Sequence, residues 1–152
     1  MSEVRLITFG ELESDPNFSW LTAAYAEESQ MVGLPPANCQ SDLYRRMEST
    51  GTFHVLGAYH GGELVGFLNF IVTVLPHYGA KVATTESIFV AHEFRRTGAG
   101  VKLIREMERL AGDMGALGVL VSAPAGKRLA DVMPGLKYRQ TNQVFFKGLA
   151  TQ

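Results

Sequence analysis

The segment Arg95–Gly100 combines residue types that suit the binding of an anion. It reads Arg-Arg-Thr-Gly-Ala-Gly, and it connects a predicted strand that ends at Val90 to a predicted amphipathic helix that begins at Ala99. Glycines let a ligand approach the backbone closely, and unpaired N–H groups at a helix start attract negative charge. The two guanidinium groups add donors for phosphate oxygens. A plain glycine-rich turn with solvated arginines is the equal alternative, since the spacing matches neither a Walker loop nor a full GxGxxG fingerprint.

Glu86 is the second candidate, because its carboxylate lies within a predicted strand, Lys81–Val90, that is mostly apolar and hydroxylic. Strand alternation predicts that Glu86 shares a face with Ile88 and Val90. An ionised carboxylate in such a strand needs a partner, and a partly buried glutamate suits a general base. The alternative is a structural carboxylate that is held by hydrogen bonds at the edge of the sheet.

The remaining elements must position these two features. Hydrophobic periodicity and turn residues predict an α/β fold, an α+β mixed sheet in one domain over residues 1–152, with the order β-α-α-β-β-β-α-β-α-β-β. The predicted strands are Val4–Phe9, Thr52–Tyr59, Glu63–Leu75, Lys81–Val90, Val119–Ser122 and a closing hairpin of Leu136–Arg139 and Gln143–Lys147. The predicted helices follow Asn17, run from a Ser41 cap to Met47, and span Ala99–Met114 and Gly126–Met133.

Composition excludes several classes of function. The net charge of −1 in 152 residues argues against a general nucleic-acid or membrane-surface binder. The single cysteine, Cys39, excludes an internal disulfide and a cysteine-rich zinc site, and the histidine spacing predicts no metal. No apolar run is long enough for a membrane span or a signal peptide, so we expect a cytoplasmic protein.

The stretch Arg95-x-x-Gly98-x-Gly100, between a strand and an amphipathic helix, resembles the acyl-CoA signature of the GCN5-related N-acetyltransferase (GNAT) superfamily, Q/R-x-x-G-x-G/A. Glu63–Phe67 also resembles the third strand of that family. The likeness extends over about residues 4–147, is strongest at residues 82–123, and is closest in character to small bacterial or phage-type members.

The resemblance implies an acetyl-CoA-dependent N-acetyltransferase that uses acetyl-CoA as a cosubstrate and no metal. It implies that Arg95, Arg96, Thr97, Gly98, Ala99 and Gly100 bind the CoA pyrophosphate, and that the backbone of Ile88, Phe89 and Val90 binds pantetheine. The strand Val119–Ser122 would diverge from the strand that ends at Val90 and open a slot between the two. A small-molecule or peptide amine would enter over the first helices and the Gly33–Gln40 loop, with Glu86 as the catalytic residue. The family often forms homodimers.

One departure from the family pattern concerns the general acid. Many members carry a tyrosine in the helix after the diverging strand, and here Val132 or Met133 falls near that position. The proton for the leaving thiolate would then come from water, from Ser122 or from Tyr138. The missing tyrosine favours one alternative, a non-catalytic acyl-CoA binding or sensing module. A further alternative is a phosphate- or nucleotide-binding regulator that uses the same glycine-rich loop without CoA.

Overall fold

The computed structural model describes residues 2–149 and shows a five-stranded sheet with helices on both faces. The strands lie in the order β1-β2-β3-β4-β5, and all neighbours are antiparallel except β4 and β5, which are parallel. The elements, in chain order, are β1 Ser2–Ile7, α1 Phe9–Ser14, α2 Phe18–Glu28, α3 Ser41–Ser49, β2 Phe53–His60, β3 Glu63–Leu75, β4 Ala80–Val90, α4 Ala99–Asp113, β5 Gly118–Leu120 and α5 Arg128–Val132. The predicted mixed α/β class is confirmed.

The two faces of the sheet are covered by different helices. The long helix α4 packs its apolar stripe, including Leu103, Ile104 and Met107, on one face. Helices α1 and α2 place Phe9, Leu12 and Leu21 on the other face. Each face therefore has its own hydrophobic core, and the sheet between them carries residues that contribute to both.

The first predicted strand is too long, because β1 ends at Ile7 and a short helix begins at Phe9. Thr8 caps this helix: its hydroxyl accepts from the Glu11 amide at 3.0 Å, and the Glu11 carboxylate accepts from the Thr8 amide at 3.1 Å. This reciprocal capping box is what ends the strand. Ser41 does not cap α3 as predicted, since it is the first helical residue and its hydroxyl donates to Glu13 instead.

The predicted closing hairpin is wrong, because neither Leu136–Arg139 nor Gln143–Lys147 forms a strand. Leu136 ends a 3-10 turn, and the next residue, Lys137, takes a left-handed φ of 70°. Val144 and Phe145 are 88% and 86% exposed, so the second arm has no core to cover it. A hairpin without a buried face is marginal in water. The segment lies instead against the loop after α2, where a methyl group on Gly33 would come 2.8 Å from Cε1 of Phe146.

Candidate active site

Strands β4 and β5 separate beyond the middle of β4. Their pairing runs only from Val82↔Gly118 to Thr84↔Leu120. At the point of separation the Ser122 amide donates to Thr85 Oγ1 at 2.9 Å, which fixes the angle at which the chain leaves the sheet. The second half of β4 therefore presents a backbone edge that β5 does not pair, and we call this opening the β4 slot.

The β4 backbone directs its polar groups into that slot at alternate residues. The Ala91 amide donates to the Val65 carbonyl across the β3–β4 ladder at 2.8 Å. In an antiparallel ladder the next residue turns its N–H and C=O to the opposite edge, so Val90 and, two residues earlier, Ile88 point theirs into the β4 slot. The intervening Phe89 puts its side chain into the core beneath α2.

The N-terminus of α4 lies beside the end of β4 and has free donors. Gly98 is the N-cap residue, with a left-handed φ of 84°, and no side chain caps the helix. The first intrahelical bond runs from Lys102 to Gly98, so the amides of Ala99, Gly100 and Val101 lack the intrahelical partner that later residues have. These N–H groups and the helix dipole favour an anion such as phosphate.

The two arginines of the loop have different surroundings. Arg95 donates through Nε to the Val90 carbonyl at 2.8 Å and pairs with Glu28 at the end of α2, so it connects β4 to α2. Arg96 is exposed and forms neither an ion pair nor a side-chain hydrogen bond within residues 2–149. Thr97 donates to the Phe94 carbonyl at 2.6 Å and stabilises the turn. The cation available to an incoming anion is therefore Arg96.

Glu86 does not lie on the face that alternation predicts. The β3–β4 register passes from Asn69↔Ser87 to Phe70↔Thr85, so Glu86 is the extra residue of a β-bulge. Ile88 and Val90 belong to the α4 side, whereas Glu86 faces α2 and α3. The side chain is exposed rather than partly buried. The bulge thus directs a carboxylate toward the helices instead of into the core.

Hydroxyl groups hold the Glu86 carboxylate from two sides. Tyr44 on α3 donates to Oε2 at 3.1 Å, and Ser87 donates to Oε1 at 2.9 Å. The Asn69 amide of β3 in turn donates to Ser87 Oγ at 3.0 Å. Burial and the nearby Glu86 carboxylate both raise the pKa of Tyr44, so its hydroxyl stays a donor at neutral pH.

This network opens into a cavity of about 260 Å³, which we call the Glu86 pocket. Its walls come from α1, α2, α3 and β3 and from the Gly33–Gln40 loop, which contributes Ala37, Asn38 and Cys39. Glu86 is the one charged side chain that lines it within residues 2–149. Burial raises the pKa of the Cys39 thiol, and burial followed by the Glu86 carboxylate raises the pKa of Tyr25.

The candidates for a general acid lie in three places. Val132 and Met133 are at the end of α5, and neither side chain can donate a proton. Tyr138 donates to Glu108 of α4 at 2.7 Å, and burial with this bond raises the pKa of Tyr138. Ser122 is exposed and lies where the β4 slot begins. Of the two hydroxyl residues that the sequence suggests, Ser122 lies beside Thr85 at the start of the slot, whereas the Tyr138 hydroxyl is held by Glu108 of α4.

Sequence reasoning missed Tyr44, Asn69 and Ser87. Tyr44 reads as part of the apolar face of its helix, and it does stack on Phe53 at 4.8 Å between ring centroids. Asn69 gives a usable signal, because an amide within the apolar run Gly66–Val72 must find a partner if it is buried. Within residues 2–149, no cluster of His, Cys, Asp or Glu is arranged to hold a metal ion, and no helix is both long and apolar enough to cross a membrane.

Comparison with solved structures places the fold among acetyltransferases. An aminoglycoside acetyltransferase from an uncultured soil metagenomic sample, in complex with sisomicin, is 20% identical with a TM-score of 0.73, over 99% of this chain and 97% of that one. A ribosomal-protein-alanine N-acetyltransferase from Brucella melitensis biovar Abortus 2308 is 18% identical with a TM-score of 0.75, over 99% of both chains. AAC(6')-Iy in complex with the bisubstrate analog CoA-S-monomethyl-acetylneamine is 19% identical with a TM-score of 0.74, over 97% of both.

Sequence comparison supports the same assignment by a separate route. No curated protein sequence matches the chain. Residues 10–130 match the family model described as "Acetyltransferase (GNAT) family", and this range contains the β4 slot, the start of α4 and Glu86. The match extends over most of the chain and agrees with the observed sheet and helices. The protein therefore belongs to the GNAT family of acetyltransferases.

Proposed function

We propose that the protein transfers an acetyl group from acetyl-CoA to the primary amine of an acceptor. The observation that carries this proposal is the position of Glu86. Its carboxylate is held by Tyr44 and Ser87, faces a pocket, and belongs to the same strand whose free edge borders the β4 slot. A base and a thioester-binding edge on one strand suit direct transfer between two bound substrates.

The residues at the start of α4 fit the pyrophosphate of CoA. The free amides after Gly98 and the unpaired Arg96 supply donors and positive charge, and no side chain lies within 4 Å of the Gly98 Cβ position to block an approach. In this proposal Thr97, Ala99 and Gly100 contribute backbone groups, while Arg95 holds the end of β4 in place. The N–H and C=O of Ile88 and the N–H of Val90 bind pantetheine as an added strand would, whereas the backbone of Phe89 stays paired with β3 and Arg95 holds the Val90 carbonyl.

Acetyl-CoA supplies a thioester, and the protein's residues act on the amine and on the carbonyl oxygen. Val90 lies four residues beyond Glu86, about 13 Å along an extended strand, so an amine and a water fit between them. Glu86 accepts a proton from the amine through this water, and the amine nitrogen then bonds to the carbonyl carbon. The Val90 N–H donates to the oxygen, which carries the developing negative charge. The C–S bond breaks, and the second proton, which the nitrogen loses as the amide forms, reaches the thiolate through water or Ser122.

The test is Glu86→Gln, which keeps the shape of the side chain but removes its charge and basicity. We expect the dissociation constant for CoA to stay within about threefold, because Glu86 lies outside the β4 slot and the α4 terminus. We expect kcat/KM for an amine to fall by about 10²–10³, as for the loss of one general base. Release of free thiol measures turnover, and calorimetry measures CoA binding.

Glu106→Gln is the matched control, since Glu106 lies on α4 and pairs with Arg109 at the surface. It should leave both constants unchanged. Loss of CoA binding in Glu86→Gln would show that Glu86 is structural, and turnover at the wild-type rate would show that the base is elsewhere.

The alternative function is an acyl-CoA binding or sensing module without turnover. The observation that favours it is α5, which ends in Val132 and Met133 and brings no tyrosine to the slot. The same thiol-release assay discriminates the two, because a sensing module would bind CoA and release no thiol with any amine in a panel.

A further inference from the structure

We infer that the acceptor is a small primary amine with a single positive charge and an aromatic body, of the type of 2-phenylethylamine. This inference deepens the proposed function, on which it rests for the acetylation of that amine. It concerns the Glu86 pocket, whose hydrogen-bonding groups, charge, walls and size each restrict the ligand.

The hydrogen bonds of the network leave more acceptors than donors for a ligand, because one N–H of the Asn69 amide is the single donor hydrogen without a partner among these four residues. The Ser87 hydroxyl has one hydrogen, which it gives to Glu86, so Ser87 can only accept from Asn69. This requirement fixes the orientation of the Asn69 amide, with Nδ2 toward Ser87. Tyr44 likewise donates its one hydroxyl hydrogen to Glu86.

The remaining capacity of the network lies on two groups. A carboxylate has about four lone-pair sites, and the two hydroxyls fill two of those on Glu86. Asn69 is 5% exposed, and its Oδ1 has no partner within residues 2–149. A surplus of acceptors around one negative charge selects a ligand that donates N–H bonds and carries a positive charge. An ammonium group meets both conditions, whereas a carboxylate or phosphate meets neither.

Aromatic rings form most of the apolar wall. They come from α1, α2, α3 and β3: Phe9, Phe18, Tyr25, Tyr44 and Phe67. Tyr25 packs edge-on against Phe67 at 5.8 Å, and Phe9 lies 5.2 Å from Tyr44. The half-buried rings of Phe18, Tyr25 and Tyr44 can stack on another flat ring and attract a cation over their faces. A phenyl group next to an ammonium therefore satisfies the wall and the carboxylate together.

Charge and size argue against a polyamine or a peptide. Glu86 is the single carboxylate in the lining of the described residues, so a second ammonium in the pocket would lose water without gaining a partner. The volume of about 260 Å³ also falls just below the range of roughly 300–1,000 Å³ that holds drug-sized ligands. A one-ring amine fits these limits better than a multi-ring aminosugar.

Cys39 offers a test that needs no turnover. It is exposed, lines the Glu86 pocket and is the only cysteine of the chain, so intact mass after treatment with iodoacetamide reports on this position alone. Labelling is measured at mildly alkaline pH, because burial raises the pKa of the thiol. It is run with and without a CoA thioether, whose blocked sulfur does not consume the reagent.

Four probes separate the features of the ligand. 2-Phenylethylamine has the ring and the ammonium, ethylamine lacks the ring, 2-phenylethanol lacks the ammonium, and sisomicin carries several ammonium groups. We expect 2-phenylethylamine to protect Cys39 at a concentration at least about tenfold lower than any of the others. Equal or better protection by ethylamine or sisomicin, or no protection by millimolar 2-phenylethylamine in either condition, overturns the inference.

The variant Glu86→Gln tests the role of the charge. It should raise the protecting concentration of 2-phenylethylamine about tenfold and leave that of 2-phenylethanol unchanged. Glu106→Gln should change neither. Unchanged protection by the amine in Glu86→Gln contradicts the inference, and the wild-type probe series stands independently of this variant.

Turnover with acetyl-CoA separates this inference from the proposed function. Protection of Cys39 by 2-phenylethylamine without any thiol release means that the proposed function fails while the ligand class holds. Acetylation of sisomicin or of a peptide amine, but not of 2-phenylethylamine, means that the proposed function holds and the ligand class is wrong.

Discussion

Two alanine substitutions, two residues apart, should have opposite effects on stability. Gly98 has a φ of 84°, whereas Gly100 lies in the first turn of α4 and has no positive φ. Added methyl groups meet little in either case. Apart from its chain neighbours, no atom of residues 2–149 lies within 4 Å of the Cβ position at Gly98. At Gly100 the nearest atom is Val90 Cγ2, at 4.0 Å. The difference between the variants therefore reports backbone conformation and not crowding.

The magnitudes follow from that conformation. A left-handed backbone costs a residue with a side chain about 1–2 kcal/mol, and the lower entropy of the unfolded chain returns about 0.4–1 kcal/mol. Gly98→Ala should therefore lower the free energy of unfolding by about 1 kcal/mol. Gly100→Ala should raise it by up to about 1 kcal/mol, because alanine is the better helix former. Each kcal/mol corresponds to about 2–4 °C in Tm for a chain of this length.

The assay combines urea unfolding with calorimetric titration of CoA. We expect Gly100→Ala to bind CoA within about threefold of the wild type, since the acyl-CoA signature that the loop resembles accepts alanine at this position. Gly98→Ala should bind CoA more weakly, because the left-handed residue sets the direction of the free amides. A stability of Gly98→Ala equal to or above that of Gly100→Ala would refute this reasoning about the backbone. Equal CoA affinity in both variants would remove Gly98 from the binding site.

Three further changes test other parts of the site. Tyr44→Phe keeps the stacking on Phe53 but removes a hydrogen bond to Glu86. The value of kcat/KM for the amine should therefore fall by about tenfold, with CoA affinity unchanged. A loss as large as that of Glu86→Gln would mean that Tyr44 itself transfers the proton. Burial lowers the pKa of His54 below 6.5, so the unfolded chain binds the proton more tightly and stability should fall as the pH drops below 6.5. The urea midpoint should therefore change less between pH 7 and pH 5 in His54→Gln than in the wild type, and an identical pH dependence would contradict this. Arg96→Ala should weaken CoA binding by up to about fivefold at low salt and less at high salt, as for an exposed ionic contact, and a salt-independent loss would argue against one.

The positions of β4 and α4 could be predicted from sequence because the signals there are local. The apolar stripe of α4 and the glycine before it fix where that helix begins, and the structure has α4 at Ala99–Asp113 against a predicted Ala99–Met114. The two glycines at 61 and 62 both adopt positive φ, as the predicted β2–β3 hairpin requires. β3 agrees with its predicted range, Glu63–Leu75.

The predictions that were wrong or missing concern features that depend on pairing between segments distant in sequence. Whether Glu86 occupies a bulge depends on how β4 registers with Asn69 of β3, and alternation within one strand cannot reveal that. The Tyr44 contact likewise requires α3 to pack over the sheet, 42 residues away along the chain. The prediction of a closing hairpin was wrong for a related reason, since Val144 and Phe145 of its second arm are exposed and find no covering layer within residues 2–149.

Because of the bulge at Glu86, the single strand β4 can contact both substrates of the proposed reaction. Beyond the bulge, Ile88 and Val90 turn their backbone groups toward the β4 slot, and before it Thr84 still pairs with β5. An unbulged strand would put its carboxylate on the α4 side, in the core with Ile88, where a charge has no partner. The extra residue places the base toward α2 and α3 without disturbing the edge that receives the thioester. Deletion of Thr85 removes the bulge and pairs Glu86 with Phe70 on the α4 side, so it should abolish amine turnover through a misplaced carboxylate while the edge of β4 still binds CoA.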